Sequence, residues 1–355
     1  MEKYNVLFTA CCGWPTCGTI DALKKSKDYD FHVIGVDCNP YTAALNYVDE
    51  LYKVPRYDDE DYISKLIQIC VEKHVDVVVP LISDEINVLC EHEKMFSDVG
   101  VKLALTHNHE KLKIANNKIR LQKYLEKNKI HVMPKTIVVD RENIESALNE
   151  LGYPEKPVCL KRTDGCGASG FRIIDDEMAR KAVFAKSRNL RANKYVSKAQ
   201  MMDAIDILDH DFMLQEFLPG QEFSVICLAD KGRTLYSITH RNLRMDFATT
   251  TYCELTDFPE ANEIVRKINA LLELDGNIGF DFIHDEKGGI KLLEINPRIS
   301  ATVSLAAKAG VNLVELGVLH ALGKEIPTDL KPEYGMRLFR NYGTLYEKEG
   351  IPCGR

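Results

Sequence analysis

Four short apolar runs, spaced by helix-like segments, constrain the start of this chain more than any other feature. They are Asn5–Ala10, Phe31–Val36, Val75–Leu81 and Val101–Leu105, with helical patterning between them, notably at Asp61–Lys73. Strands that alternate with helices build a parallel, doubly wound sheet. The loop Gly13–Gly18 leads from the first strand into a helix reaching about Lys27, and Asp37 closes the second strand. That loop lacks the G-x-G-x-x-G spacing, so a tight strand–helix turn explains it without a dinucleotide. Ser83, Asp84 and Glu85 follow the third strand, where such sheets collect ligands. They read either as substrate contacts or as a helix cap with an acidic first turn.

The second constraining stretch is Ile290–Arg298. It starts as a strand and stops at Pro297, which cannot continue a ladder. In extended chain alternate side chains share a face. Glu294, Asn296 and Arg298 therefore point one way, with Leu293 and Ile295 on the other. The strand Asn277–His284 precedes it through the Asp285–Gly289 turn, so Asp281 can lie beside Glu294. Two carboxylates buried together repel, and a hard divalent cation resolves the conflict. At the surface they would need no cation. A guanidinium beside them suits phosphate oxygens or a salt bridge.

Further elements lie between these stretches. Lys118 opens a helix to about Lys127, against the dipole preference, which makes it either an anion ligand or a solvated lysine. Thr136–Asp140 and Val158–Arg162 are strands flanking a helix at Glu142–Leu151. Then comes Thr163–Gly170, glycine-rich and followed by a second strand, Gly170–Ile174, rather than a helix. It reads as a hairpin able to fold over phosphates. H-R-D, D-F-G and the P-loop pattern are all absent. Lys186–Lys198 is basic and polar, a surface connection. Asp211–Phe217 is a strand running into Gln215–Gly220, and Glu222–Ala229 returns from it. Thr234–Arg244 is a further strand, Glu260–Leu274 an amphipathic helix, and Asn312 with Glu315 caps another helix that ends near Gly323. Met336–Tyr346 is a final strand offering Arg337 and Arg340 to a ligand or an exposed edge.

Composition narrows the class. The chain has 355 residues, 45% of them hydrophobic, enough for two or three domains. A net charge of −7 argues against a nucleic-acid surface. No apolar run is long enough for a membrane span, and the N-terminus lacks a signal-peptide pattern, so a cytoplasmic location is expected. Eleven cysteines, an odd number, are best explained as free thiols in a reducing compartment. Cys11, Cys12 and Cys17 cluster without metal-ligand spacing.

Glu294-Ile-Asn-Pro-Arg298, its paired strand with Asp281, the glycine-rich hairpin and the Gln215–Glu222 segment together resemble the ATP-grasp superfamily. The likeness is nearest to the carbamoyl-phosphate synthase large subunit group and to carboxylate–amine ligases. It implies an α/β (α+β ATP-grasp) fold: a Rossmann-like parallel-sheet domain over 1–105, then an ATP-grasp domain over 106–355 with a small lid at about 133–210. It implies that Lys118 and Lys161 bind ATP phosphates, with Lys161 also near the adenine. Gly165, Gly167, Ala168, Ser169 and Gly170 would close over the β- and γ-phosphates. Gln215, Glu216, Phe217 and Leu218 would form the adenine segment, with main-chain groups of Glu216 and Leu218 reading the base, and Glu222 would take the ribose. Asp281, Glu294 and Asn296 would hold one or two Mg²⁺, or Mn²⁺ in its place, and Arg298 would steady the transferred phosphoryl group. The chain has one such half where the carbamoyl-phosphate enzyme has two, and the Asp281 position is Gln in one of those.

The activity so implied is an ADP-forming ligase joining a small-molecule carboxylate to an amine through an acyl phosphate. The alternatives are carbamoyl-phosphate-synthase-like phosphotransfer and a non-catalytic ATP-binding module. Nucleic acid and membrane are not expected partners, and a homodimer fits the relatives' habit. Asp84, Glu85, Arg241 and Arg337 are the candidate substrate contacts outside the ATP motifs.

Overall fold

A computed structural model describes residues 1–13, 15–163, 170–183, 194–207, 211–246, 249–341, 344, 346–348 and 351–353. The first sheet is parallel throughout, in the order β3-β2-β1-β4-β5. Its strands are β1 (Glu2–Phe8), β2 (Tyr29–Asp37), β3 (Glu50–Lys53), β4 (Val77–Val79) and β5 (Lys102–Leu103). Strand β3 was not expected from sequence. It has no fully buried residue, so it carries no apolar run to announce it. The helix after β1 is Thr16–Lys24, and the expected Asp61–Lys73 helix spans Tyr62–Glu72 with Leu66, Ile69 and Cys70 buried.

The second sheet runs β6-β10-β7-β8-β9. Its strands are β6 (Thr136–Val139), β7 (Val158–Arg162), β8 (Arg172–Ile174), β9 (Tyr195–Val196) and β10 (Phe212–Glu216). The stretch expected as a plain surface connection contributes β9 at its end, and a helix, Lys198–Ile207, follows. The sheet is completed by β10, beyond residue 210. A separate core of Ile144, Leu148, Val158, Leu160, Ile174, Phe212 and Leu214 supports it.

The third sheet is antiparallel, in the order β15-β14-β11-β12-β13-β16. Its strands are β11 (Glu222–Asp230), β12 (Arg233–Asp246), β13 (Thr249–Leu255), β14 (Gly276–His284), β15 (Ile290–Asn296) and β16 (Arg337–Phe339). Sequence reading missed β13, a Thr-rich strand. Strand β16 is shorter than the expected Met336–Tyr346, and a small hairpin, β17 (Tyr346–Lys348) and β18 (Ile351–Cys353), follows it. Strand β11 is buried on both faces. Phe223, Val225 and Cys227 meet the helix Pro259–Leu272, while Ile226 and Leu228 join the core shared with the first sheet. That shared core, which includes Phe8, Ile20, Val303 and Val314, joins the first and third sheets.

Candidate active site

The site begins with an irregularity in β15. Asp281 pairs with Glu294, yet Phe282 pairs with Leu292, so Leu293 is an extra residue opposite no partner. A bulge of this kind re-aims the side chains beyond it. Leu292 and Ile295 therefore both enter the core, although three positions apart, and Glu294 and Asn296 face away from it. Simple alternation had put Leu293 on the core face with Ile295. The structure gives that place to Leu292, because the bulge absorbs one residue.

Across the strand pair, Asp281 accepts from Ser224 Oγ through Oδ1 at 2.7 Å and from Asn296 Nδ2 through Oδ2 at 2.9 Å. The same Nδ2 donates to Glu294 Oε1 at 3.4 Å. Glu294 Oε2 meets Lys118 Nζ at 2.9 Å, both side chains being largely shielded. Burial, with the Glu294 charge behind it, pushes the Asp281 carboxyl up to about 6. Burial also works against ionisation of Glu294, but Lys118, as charge and donor, and then Lys161 outweigh it and hold that carboxyl below its usual range. The helix Lys118–Lys127 starts at Lys118 because Asn117 caps it, its side chain accepting from Arg120 N at 3.0 Å.

Lys161 lies on β7, and its Nζ donates to Gln215 Oε1 at 2.6 Å and stands 5.7 Å from the Phe171 ring. Burial lowers its ammonium pKa, with Cys159, Glu294 and Glu222 opposing. Gln215 is buried and spends Nε2 on Thr136 Oγ1. Glu216 gives its N–H to Lys135 O and accepts Lys135 N–H on its carboxylate, so its own amide is already committed. Phe217 and Leu218 lie between β10 and β11, outside both strands. Glu222 starts β11, its carboxyl raised by burial and opposed by Lys194 and Lys161. Gly170 has φ +72, and a Cβ there would meet Arg162 Cγ at 2.8 Å, which explains a glycine at the foot of the hairpin. Gly165, Gly167, Ala168 and Ser169 lie outside the described residues.

Arg298 follows Pro297 and folds back on its own segment. It donates Nη1 to Ile299 O at 2.9 Å and Nη2 to Asn296 Oδ1 at 3.2 Å. Asn296 Oδ1 also accepts Ser83 Oγ at 3.4 Å, which brings the start of the helix Ser83–Glu91, just after β4, to the site. The buried Nε of Arg298 has no hydrogen-bond partner among the described residues. A buried donor left unmade is costly, and an anion's oxygen would satisfy it. The two facing carboxylates are a hard-oxygen set, and a divalent cation would relieve their mutual repulsion. The residues present thus fit both a phosphate and Mg²⁺. In this structure Lys118 supplies the positive charge beside Glu294.

Two residues reach the site without having been singled out. Lys194 stands 6.0 Å from the Phe171 ring that Lys161 also approaches. Their signal in sequence was faint: a lysine in a basic stretch, and an aromatic just after the glycines. Other expectations are redirected. Glu85 is fully enclosed, accepting from Thr9 Oγ1, Tyr62 Oη and the Leu81 and Ile82 amides. It is an internal brace and not a substrate contact. Arg337 pairs with Glu254 at 2.9 Å. Arg340 donates Nε to Thr250 O at 3.0 Å and Nη2 to Ala301 O, stapling β13 to the segment after Arg298. Arg241 is exposed. Away from this edge, Cys11 and Cys12 sulfurs lie 3.9 Å apart beside Asp37, and nine of the cysteines, these two among them, are free thiols. Among the described residues no helix is long and apolar enough to cross a membrane.

Residues 209–342 match the family described as ATP-grasp in the biosynthetic pathway with Ter operon, and residues 10–104 match the PylC-like N-terminal domain. The carbamoyl phosphate synthase large chain of Clostridium acetobutylicum is 23% identical over 334 residues, covering 91% of this chain. This chain spans 28% of that protein's length. Tyramine–L-glutamate ligase of Methanocaldococcus jannaschii is 22% identical over 297 residues, covering 81% of this chain and 77% of that one. The crystal structure of N5-carboxyaminoimidazole synthetase from Staphylococcus aureus complexed with ADP superposes with a TM-score of 0.66 at 13% identity. The match covers 94% of this chain and 81% of that one, a likeness of fold.

Proposed function

The chain belongs to the ATP-grasp superfamily of ATP-dependent ligases, and from that premise we propose that it joins the carboxylate of one small molecule to the amine of another, releasing ADP and phosphate. The observation that carries this reading is one edge of the third sheet. There Asp281 and Glu294 face each other, and Lys118, Asn296 and Arg298 all touch that pair or one another. Acyl activation by ATP needs negative charge collected and then neutralised, and no side-chain nucleophile.

In this reading residues 1–105 form the leading domain and the glycine-rich hairpin belongs to a lid built on the second sheet, which extends the expected 133–210 to take in β10. Lys161 and Lys118 hold phosphate oxygens, and Lys118 exchanges Glu294 for phosphate as nucleotide enters. Phe217 and Leu218 border the adenine, Gln215 fixes Lys161, and Glu222 takes the ribose hydroxyls. Asp281, Glu294 and Asn296 would hold the divalent cation, which would neutralise charge on the phosphates. Arg298 directs its unpartnered Nε to the transferring group. A substrate carboxylate oxygen attacks the γ-phosphorus, the bond to the bridging oxygen breaks, and ADP leaves. The amine nitrogen then attacks the acyl carbon, phosphate departs, and the nitrogen loses a proton. Lid closure keeps water from the acyl phosphate.

The test is ADP release with ATP and Mg²⁺ across amino acids and other small carboxylates, singly and in pairs with amines. A pair that stimulates ADP release and yields the amide by mass spectrometry supports the ligase. ADP formed from one acid with no amine acceptor places the chemistry with carbamoyl-phosphate-type transfer. Absence of any ATP-induced thermal shift overturns the nucleotide site itself.

A further inference from the structure

The face of the third sheet that meets the first changes character along its length. At one end it is apolar, with Ile226, Leu228, Tyr236 and Ile238 in the core. Towards Asp281 it becomes polar, and Ser224, Asn242 and Thr250 are buried there. Buried polar groups are retained at a cost unless each is paired. These three are paired in a single directed line. Thr250 Oγ1 donates to Asn242 Oδ1 at 3.2 Å, Asn242 Nδ2 donates to Ser224 Oγ at 3.0 Å, and Ser224 Oγ donates to Asp281 Oδ1 at 2.7 Å.

The direction is forced from the Asp281 end. An ionised carboxylate only accepts, so the Ser224 proton must point to it. Ser224 then has lone pairs alone to offer Asn242, which must turn its NH₂ that way. The Asn242 oxygen is left for Thr250. The line crosses from β14 through β11 and β12 to β13. At its far end Arg340 grips the Thr250 carbonyl at 3.0 Å and the Ala301 carbonyl, three residues beyond Arg298.

We propose that Ser224, Asn242 and Thr250 are positioning residues that fix the orientation of the Asp281 carboxylate for a divalent cation bound together with nucleotide. This rests on the reading of the site as ATP- and Mg²⁺-dependent. In that reading none of the three is a nucleotide or substrate ligand. With Ser224 fixing Oδ1 and Asn296 fixing Oδ2, the carboxylate has no freedom to turn away from Glu294. Outer partners of this kind set metal affinity through the ligand they orient.

The experiment uses the full chain with Mn²⁺ and ADP as probes. Free Mn²⁺ is followed by electron paramagnetic resonance, and ADP binding by calorimetry with and without metal. Ser224→Ala should weaken Mn²⁺ binding in the presence of ADP by about tenfold or more, by the usual effect of losing an outer partner. Metal-free ADP affinity should stay as in wild type, and Ser224→Thr, which keeps the hydroxyl, should restore Mn²⁺ binding. Thr250→Val keeps the shape, so it guards against misfolding at Ser224, and it should weaken Mn²⁺ in the same direction by less. Unchanged Mn²⁺ affinity in Ser224→Ala and Thr250→Val overturns the relay, as does a parallel loss of metal-free ADP binding. Wild-type protein that takes up neither ADP nor Mn²⁺ removes the functional reading, and the relay with it. Wild-type binding that the variants leave unmoved removes the relay alone.

Discussion

Replacing Lys161 with Met should separate the cost of this site from its use. Burial lowers the ammonium pKa of Lys161 in the folded chain, so its charged form is less favourable there than in the unfolded chain. A lysine shifted down destabilises the fold below its ordinary value, and that cost is complete once the pH lies below the lowered value. Met removes the charge, fills similar volume and suits the neighbouring Phe171 ring. What is lost is the 2.6 Å hydrogen bond to Gln215, a contribution of about 1 kcal/mol. The nucleotide-free protein should therefore melt at or above the wild-type temperature. Nucleotide binding should move the other way. A charge-assisted hydrogen bond contributes roughly 1.5–3 kcal/mol, and the upper end corresponds to about a hundredfold in Kd. At ATP equal to about one hundred times the wild-type Kd, ligand stabilises wild type by about 2.7 kcal/mol. At that concentration the variant, with a hundredfold weaker Kd, would gain only about 0.4 kcal/mol. Thermal melts with and without ATP and Mg²⁺ read both quantities. A variant that melts well below wild type yet keeps the full ATP-induced shift would refute the reasoning, because Lys161 would then be a structural residue.

Three further outcomes are expected. Glu294→Ala and Arg298→Ala should each lower turnover by about a hundredfold or more, by removing charge compensation in the transition state; near-wild-type ADP release would take that residue out of the mechanism. His240 is fully buried with Nε2 on Thr302 Oγ1 at 2.8 Å, and burial depresses its imidazole pKa to about 4. A depressed histidine contributes stability above its ordinary value near 6.5 and loses it as pH falls towards 4, about 3 kcal/mol in all. Denaturant titrations across that window should show the loss, and His240→Gln should flatten it; an equal slope in both proteins counts against a neutral buried imidazole. Gly220 lies in the turn before β11, and a Cβ there would stand 2.0 Å from the His284 carbonyl oxygen. Gly220→Ala should therefore cost about 1–3 kcal/mol as the turn is pushed off β14, and chemical denaturation with no loss would disprove that contact.

Sequence determined the parallel first sheet, the antiparallel pairing of Asp281 with Glu294 and most strands of the third sheet, since each follows from local pattern: apolar runs, turns and the stop at Pro297. It did not reveal β3 or β13, whose residues are half-buried or Thr-rich and lack a clear period. Only tertiary structure decided that Leu292, rather than Leu293, shares the core face with Ile295, because alternation along one strand cannot reveal a bulge that depends on how two strands pair. Only tertiary structure turned Glu85 and Arg340 from ligand candidates into internal braces, since their partners lie on other elements of the chain. The line from Thr250 to Asp281 is of the same kind. Ser, Asn and Thr are unremarked in sequence and acquire direction only when neighbouring strands set donor against acceptor. Local chemistry is written in the order of residues, whereas orientation is a property of pairs brought together by folding.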